Sequence, residues 1–354
     1  MNKKHIILAV FLFAVFNIMA QTSEHYRWRL NGHGGITWHI ADNLPHHDHI
    51  EMSGKRVSTV VTYGVEADSS FYIKRAVVWP MLRTIPNNTH ASLIHEYTRD
   101  IADEMTIDGK NEHEKVQEIT LNGMINTQSE LGNKISFSRI IFPSTEKPAI
   151  FEKYVLKNFS EDTVDVNIPK TDDIYVTDAK KGVYGAYTLT YTITKNGSFT
   201  LAPGDSLVFG LVIAGKKDGE NWEPFNIEEE LQARKDFIRY LWSNLILETP
   251  DSVLNTLFAF SKIRAAESIY QTKGGPMHGP GGLSYYAAIW ANDQAEYINP
   301  FFPYLGYDYA IKSAINSFMM FARFMNDEYN PYRAPSLLKE PTSGTEQETV
   351  VMLP

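Results

Sequence analysis

The chain has 354 residues, 43% of them apolar and 12% aromatic, a formal net charge of −9 and no cysteine. That length is enough for two domains, each with its own core. The missing cysteines exclude disulfides, and the acidic balance argues against nucleic acid as a partner, since phosphate binding draws on Lys and Arg; neutral glycans remain compatible with it.

At the N-terminus Lys3 and Lys4 precede an apolar run over 6–16, and Ala20 ends the stretch before Gln21. This is the pattern of a cleaved export signal over 1–20, shorter than the roughly 20 apolar residues of a bilayer span. An uncleaved anchor is the competing reading. The expected mature chain is periplasmic or secreted and does not associate with the membrane once the signal is removed.

Residues 21–220 have a β texture. Thr188-Leu189-Thr190-Tyr191-Thr192-Ile193-Thr194 alternates polar with apolar, as a half-buried strand does, and Val164, Val166 and Ile168 repeat the pattern. Further strands are expected at 57–63, 71–79, 135–142, 150–158 and 207–214. Turn chemistry separates them at Asp108-Gly109, Asn196-Gly197 and Pro203-Gly204-Asp205. Many short strands with few helical stretches indicate a large antiparallel β-sandwich. Within it His33, His39, His46, His47 and His49 gather with Asp42, Asp48 and Glu51. Their spacing fits no defined zinc motif, so hydrogen bonding is the preferred reading, and neither a metal nor a cofactor is expected.

The period changes after Gly219, which puts the domain boundary between Lys216 and Pro224. A linker helix is expected within 221–248, with Leu231, Phe237, Ile238, Leu241, Trp242 and Leu245 at helical spacing and Glu228, Glu229 and Glu230 in the first turn. Thr249-Pro250-Asp251 reads as the start of a second helix running to about Gln271, with Thr249 as its cap. A third helical stretch begins near Asn292 and is disturbed by Pro300 and Pro303. A fourth runs from Tyr309 to about Met325. The polar segment after 339 carries Glu340, Glu346 and Glu348 and ends on an apolar run. The expectation is that helices over 249–354 belong to a layer whose remainder lies outside this sequence; docking onto the sandwich is the alternative.

The densest chemistry lies at 273–306. Gly274, Gly275, Gly279, Gly281 and Gly282 lead into Tyr285, Tyr286 and Trp290, and Asp293, Gln294 and Glu296 follow. Aromatic faces beside carboxylates and an amide suit a polyol, whose CH faces stack on rings while its hydroxyls need fixed partners. The competing readings are core packing for the aromatics, dipole compensation for Asp293 under an Asn292 cap, and a plain connection for the glycine run. If the segment is α-helical, Asp293 and Glu296 share a face about 5–6 Å apart at Cβ. An inverting acid–base pair lies roughly 6.5–9.5 Å apart across the scissile bond, which two side chains on one helix face do not provide. Binding is therefore assigned to Trp290, Asp293, Gln294, Glu296 and Tyr286, and the catalytic residues stay unassigned.

A β-sandwich, a linker helix and hairpins carrying Trp290-Ala291-Asn292-Asp293-Gln294-Ala295-Glu296-Tyr297 and Pro300-Phe301-Phe302-Pro303-Tyr304-Leu305-Gly306 resemble the six-hairpin glycosidase superfamily. That group includes glucoamylase-like enzymes, α-L-rhamnosidases and inverting disaccharide phosphorylases. The stretch 32–54 resembles the sandwich of a Bacteroidetes-type member. The resemblance implies a multidomain β + α fold, a large antiparallel β-sandwich followed by helical hairpins of an incomplete (α/α)6 barrel. It also implies that Trp290 and Asp293 contact a sugar in the first subsite, and that the catalytic pair sits on later barrel loops missing from this chain. The expected activity is hydrolysis of glycosidic bonds by inversion, with a carbohydrate substrate. The alternatives are a non-catalytic carbohydrate-binding protein and a polysaccharide lyase, although the acidic surroundings of Asp293 would repel a uronate.

Overall fold

The structure, a computed structural model, describes residues 27–32, 34–40, 45–322 and 337–338. The export signal over 1–20, His33, Asp42, Glu340, Glu346 and Glu348 lie outside them. In chain order the strands are β1 (Arg29–Leu30), β2 (Ile36–His39), β3 (His46–Ser53), β4 (Ser58–Val65), β5 (Phe71–Arg83), β6 (Ser92–Tyr97), β7 (Thr106–Ile107), β8 (Glu114–Leu121), β9 (Ile125–Leu131) and β10 (Ile135–Pro143). They continue with β11 (Ala149–Asn158), β12 (Val164–Ile168), β13 (Asp172–Val176), β14 (Tyr187–Ile193), β15 (Gly197–Leu201) and β16 (Ser206–Lys217). Nine form one antiparallel sheet in the order β1-β2-β8-β9-β10-β11-β16-β14-β13; β3-β4-β5-β6 form a second sheet and β15-β12-β7 a third. The expected antiparallel sandwich is present.

The nine-stranded sheet separates two cores. Strand period two sends Ile141, Ile150 and Ile213 into the sandwich, against Val61, Val77 and Trp79 of the second sheet. The next residue along each strand faces the other way. Phe142, Phe151, Val212 and Ala214 pack with Leu231, Ile238 and Leu241 of the first long helix, α1 (Ile227–Ser243). The expected linker helix is thus a docked layer on the outer face of the sheet. Asn226 caps it, accepting from the backbone N–H of Glu228 at 3.1 Å and Glu229 at 3.4 Å, and the three first-turn glutamates suit the dipole. It ends at Ser243, inside the expected 221–248 and two residues before Leu245, which the helical spacing assigns to it. The ammonium of Lys262 donates there to the carbonyls of Leu241, Trp242 and Asn244, serving acceptors at the helix end.

Helix α2 (Ser252–Glu267) starts two residues later than read from sequence. Its cap is Asp251, not Thr249: the carboxylate accepts from the N–H groups of Val253 and Leu254 at 2.8 and 3.2 Å. It also stops four residues early, because Ile269–Thr272 leaves the helix as β17 and pairs with β18 (Gly275–His278). Helix α3 (Asp308–Ala322) buries Ala310, Ala314 and Met320. The apolar faces are not all covered: α1 docks on the sheet, while Val253 and Leu257 of α2 and Phe318 and Met319 of α3 are exposed. No helix among the described residues is long and apolar enough to cross a membrane.

The sandwich core holds a cluster of charge. Arg75, Arg139 and Glu152 are fully buried, with Asp100 and Glu114 nearly so. Burial first, and then Asp100, push the Glu114 carboxyl up to about 7 against the pull of Arg139. Such a carboxyl favours the folded state while protonated. Its contribution is complete below the unfolded value near 4.5 and is lost as pH rises through about 7. Glu114→Gln is therefore expected to gain stability relative to the wild type between pH 5 and pH 8 on the order of 1 kcal/mol or more, read from urea midpoints. A constant difference across that range would contradict this account.

Candidate functional site

The glycine run at 274–282 is more ordered than a plain connection. Lys273-Gly274 turns the β17–β18 hairpin, and Gly279 N–H donates to the Ser268 carbonyl at 2.8 Å. Beyond it the chain docks on Glu51 of β3, which receives hydrogen bonds from Gly282 N–H (3.0 Å), Ser58 Oγ (2.9 Å) and the Tyr286 hydroxyl (2.9 Å). Arg264 of α2 adds an ion pair at 3.3 Å. Gly281 has φ +85°, and a Cβ there would lie 2.5 Å from Glu51 Oε1. Glycine is therefore required for the approach, which ties this loop to the sandwich.

Tyr286, read from sequence as a sugar contact, is 1% exposed, and its ring packs edge-on to Tyr270. Burial and the neighbouring Glu51 carboxylate push its phenol well above the usual range. It pins the loop to the sandwich and leaves almost no surface open for the expected sugar contact. The signal for this lay in the sequence: a tyrosine two residues ahead of Ala288-Ile289, a short strand paired with Leu337–Leu338, sits in an apolar run.

Trp290 and Asp293 keep part of their surface open, both being half-buried. The Trp290 ring is set edge-on by the exposed Tyr285, centroid to centroid 5.3 Å at 86°. Asn292 does not cap a helix. It has helical dihedrals (φ −65°, ψ −46°) and makes no side-chain cap bond, while Gln294 N–H already donates to the Trp290 carbonyl at 3.1 Å. The residues Asp293–Ile298 form a π-helical turn, closed by Asn299 N–H on the Gln294 carbonyl. The wider π turn rotates Glu296 further from Asp293 than an α-helix would, so the face shared by the two acids is looser than the sequence implied. Glu296 is exposed. Burial, and to a lesser degree Glu296, raise the Asp293 carboxyl above the usual aspartate range, with its own backbone N–H opposing. Gln294 is 1% exposed, and neither amide atom has a hydrogen-bond partner among the described residues. It is held inside the helical layer rather than on the surface beside Trp290.

The histidines disperse. His39 meets Glu118 at 3.2 Å, His46 meets Asp48 at 3.0 Å, and His47 meets Glu66 at 3.0 Å while stacking on Tyr72. Each engages a different carboxylate. Glu51, read from sequence only as part of the histidine cluster, instead ends a relay under the site that sequence reasoning missed: Arg234 of α1 to Glu267 of α2, then Arg264, then Glu51. The Arg264–Glu267 spacing of three, on a helix followed by a buried strand, was the available clue.

No protein-family model matches the chain, and no curated protein does. Solved structures do match, 41 chains in all. One is a protein from the human microbiome assigned as a kojibiose phosphorylase, which aligns at a TM-score of 0.50 and 9% identity over 82% of this chain and 49% of its own. This chain thus spans about half the length of that protein. At such identity the likeness concerns the fold alone, antiparallel β-sheets followed by helices.

Proposed function

We propose that this chain belongs to an exported carbohydrate-active protein of the six-hairpin glycosidase type, acting on glycosidic bonds of oligo- or polysaccharides, with its helices the first part of an (α/α)6 barrel. Trp290 and Asp293 are its sugar-contacting residues. The observation that carries the reading is their half-open placement at the start of a π-helical turn, just past a loop fastened to the sandwich through Glu51. A pyranose would lay its CH face on the Trp290 ring, which Tyr285 holds in orientation. Its hydroxyls would reach Asp293, with the exposed Glu296 serving an outer position. These acids bind; they do not cleave. Both lie on one helical turn, whereas inversion needs an acid and a base flanking the bond, roughly 6.5–9.5 Å apart. The acid, and a water or phosphate nucleophile, belong elsewhere in the scheme. The acidic turn also disfavours a lyase acting on uronates at this point.

Saturation-transfer NMR with kojibiose and maltose tests the site, alongside chromatographic assay of glucose release with and without inorganic phosphate. Trp290→Ala is expected to weaken disaccharide binding about tenfold, the order of one lost aromatic stack. Asp293→Asn is expected to weaken it further without altering the thermal melt. Wild-type affinity in both variants would end the assignment. Binding with no turnover under either condition would favour the non-catalytic alternative.

A further inference from the structure

The large sheet ends on an open strand. β13 (Asp172–Val176) is last in the nine-strand order, and among the described residues it pairs only with β14. All five of its residues are exposed, Ile174 by 64%, Tyr175 by 50% and Val176 by 57%. Proteins commonly blunt such an edge with Lys, Pro or a bulge, because an open apolar edge is a template for a further strand. β13 has no Lys, no Pro and no bulge against β14. Its two acids are tied to their own chain: Asp173 pairs with Arg99 at 2.7 Å, and Asp172 accepts from the Thr192 hydroxyl at 3.0 Å.

The ladder fixes which main-chain groups face outward. Thr177 N–H donates to the Tyr187 carbonyl at 2.9 Å, and Ile193 N–H donates to the Thr171 carbonyl at 3.0 Å. Bonded pairs alternate along an antiparallel ladder, so Asp173 and Tyr175 also face β14. The N–H and C=O groups of Asp172, Ile174 and Val176 therefore point to the open side. Side chains alternate as well. Tyr175 turns toward the second sheet, 4.9 Å from the His95 ring of β6, while Ile174 and Val176 share the outer face with Thr190 and Thr188.

We infer that β13 pairs antiparallel with β13 of a second copy of this chain, with Ile174 opposite Ile174 on a two-fold axis. The two large sheets then run on as one. In this register the residues with outward main-chain groups meet one another, and about six main-chain bonds form. Lys170 falls opposite Asp178 in both halves. These two are exposed, and neither makes an ion pair among the described residues. Sliding the copy by two residues keeps the bonding but sets Asp173 against Asp173 one way and Asp172 against Asp178 the other. Like charges directly opposite are destabilising, so charge selects a single register. The edge is thereby self-complementary, as a two-fold contact requires. Ile174 and Val176 of the two copies cover one another diagonally on the outer face. The inference does not rest on the sugar-contact reading of Trp290 and Asp293.

Sedimentation velocity of the full chain from about 2 to about 200 µM tests it, and monomer should give way to dimer, as a narrow interface dictates. Ile174→Lys sets two ammonium groups against each other on the axis. It should weaken the dimer about tenfold or more and leave the thermal melt unchanged, since the side chain is exposed. Lys170→Asp and Asp178→Lys should each weaken self-association. An equimolar mixture of these two variants should recover it, because both mixed contacts are again opposite in charge. The chain has no cysteine, so Ile174→Cys carries a single thiol. Bonded antiparallel pairs lie about 5.5 Å apart at Cα, within disulfide reach. Mild oxidation should link Ile174→Cys into a covalent dimer and leave Asp172→Cys, which faces Val176 of the second copy, largely unlinked. A chain monomeric at the highest concentration, a dimer indifferent to Ile174→Lys, or equal linking of the two cysteine variants would overturn the inference.

Discussion

Arg139→Met is expected to destabilise the fold by about 3–5 kcal/mol at pH 8, the usual cost of stranding buried charge by removing its partner. Arg139 is fully buried. One nitrogen donates to both oxygens of Asp100, at 2.9 and 3.0 Å, and another to Glu114 at 2.6 Å, while the guanidinium lies 4.7 Å over the Phe71 ring. Beside it Arg75 is bound by Glu152, which also accepts the Tyr154 hydroxyl at 2.7 Å. Methionine fills similar space but leaves Asp100 and Glu114 facing apolar rings with one cation fewer. In the wild type, burial raises Asp100, but Arg139 and Arg75 outweigh it and hold the carboxyl below its usual range. Without Arg139 both acids titrate higher when folded than unfolded, so the deficit should shrink as pH falls toward 5. Urea unfolding at pH 5.5 and pH 8 reads this directly. A loss under 1 kcal/mol at pH 8, or one independent of pH, would show that the cluster is not the charge network inferred from its geometry.

This cluster was legible in the strand pattern, although charge in a core is easily read as surface. Ile135, Phe137, Arg139 and Ile141 share one face of β10, and Ile150, Glu152, Tyr154 and Leu156 share one face of β11. Period two alone therefore points Arg139 and Glu152 inward among apolar neighbours. The same reasoning separates the two kinds of strand. Thr188–Thr194 alternates because one side of β14 is wet, whereas 207–214 is nearly continuous in apolar residues because α1 covers the outer face of β16. The sandwich was thus readable from composition and period, and its helical cover from the loss of alternation. The site was harder to read. Trp290 and Asp293 stood out by residue type, but the π turn, the burial of Gln294 and the role of Tyr286 depend on partners far away in sequence. Glu51 lies 235 residues before the tyrosine that it binds. No local pattern encodes that contact.

Arg234→Met is expected to loosen the helical layer from the sandwich by about 3 kcal/mol and to weaken disaccharide binding with it. Arg234 is fully buried and donates to the carbonyls of Gly123 at 2.7 Å and Ser53 at 3.2 Å as well as to Glu267. Glu267 is bonded in turn by Arg264 at 2.6 Å, and Arg264 reaches Glu51, the anchor of Gly282 and Tyr286. One guanidinium thus stands at the base of a chain of contacts from α1 through α2 to the loop ahead of Trp290. Its loss leaves two carbonyls unsatisfied and Glu267 short of a cation. Hydrogen exchange should then rise across 227–243 and 252–289, while 135–158 in the centre of the sheet keeps its protection. Glu51→Gln should disturb only the loop, because the amide keeps an acceptor for Gly282 but not the charge facing Arg264. If Arg234→Met speeds exchange equally in the sheet and the helices, the seam is no separable unit. The link from α1 to the turn at Trp290 and Asp293 would then have to run through the sandwich core instead.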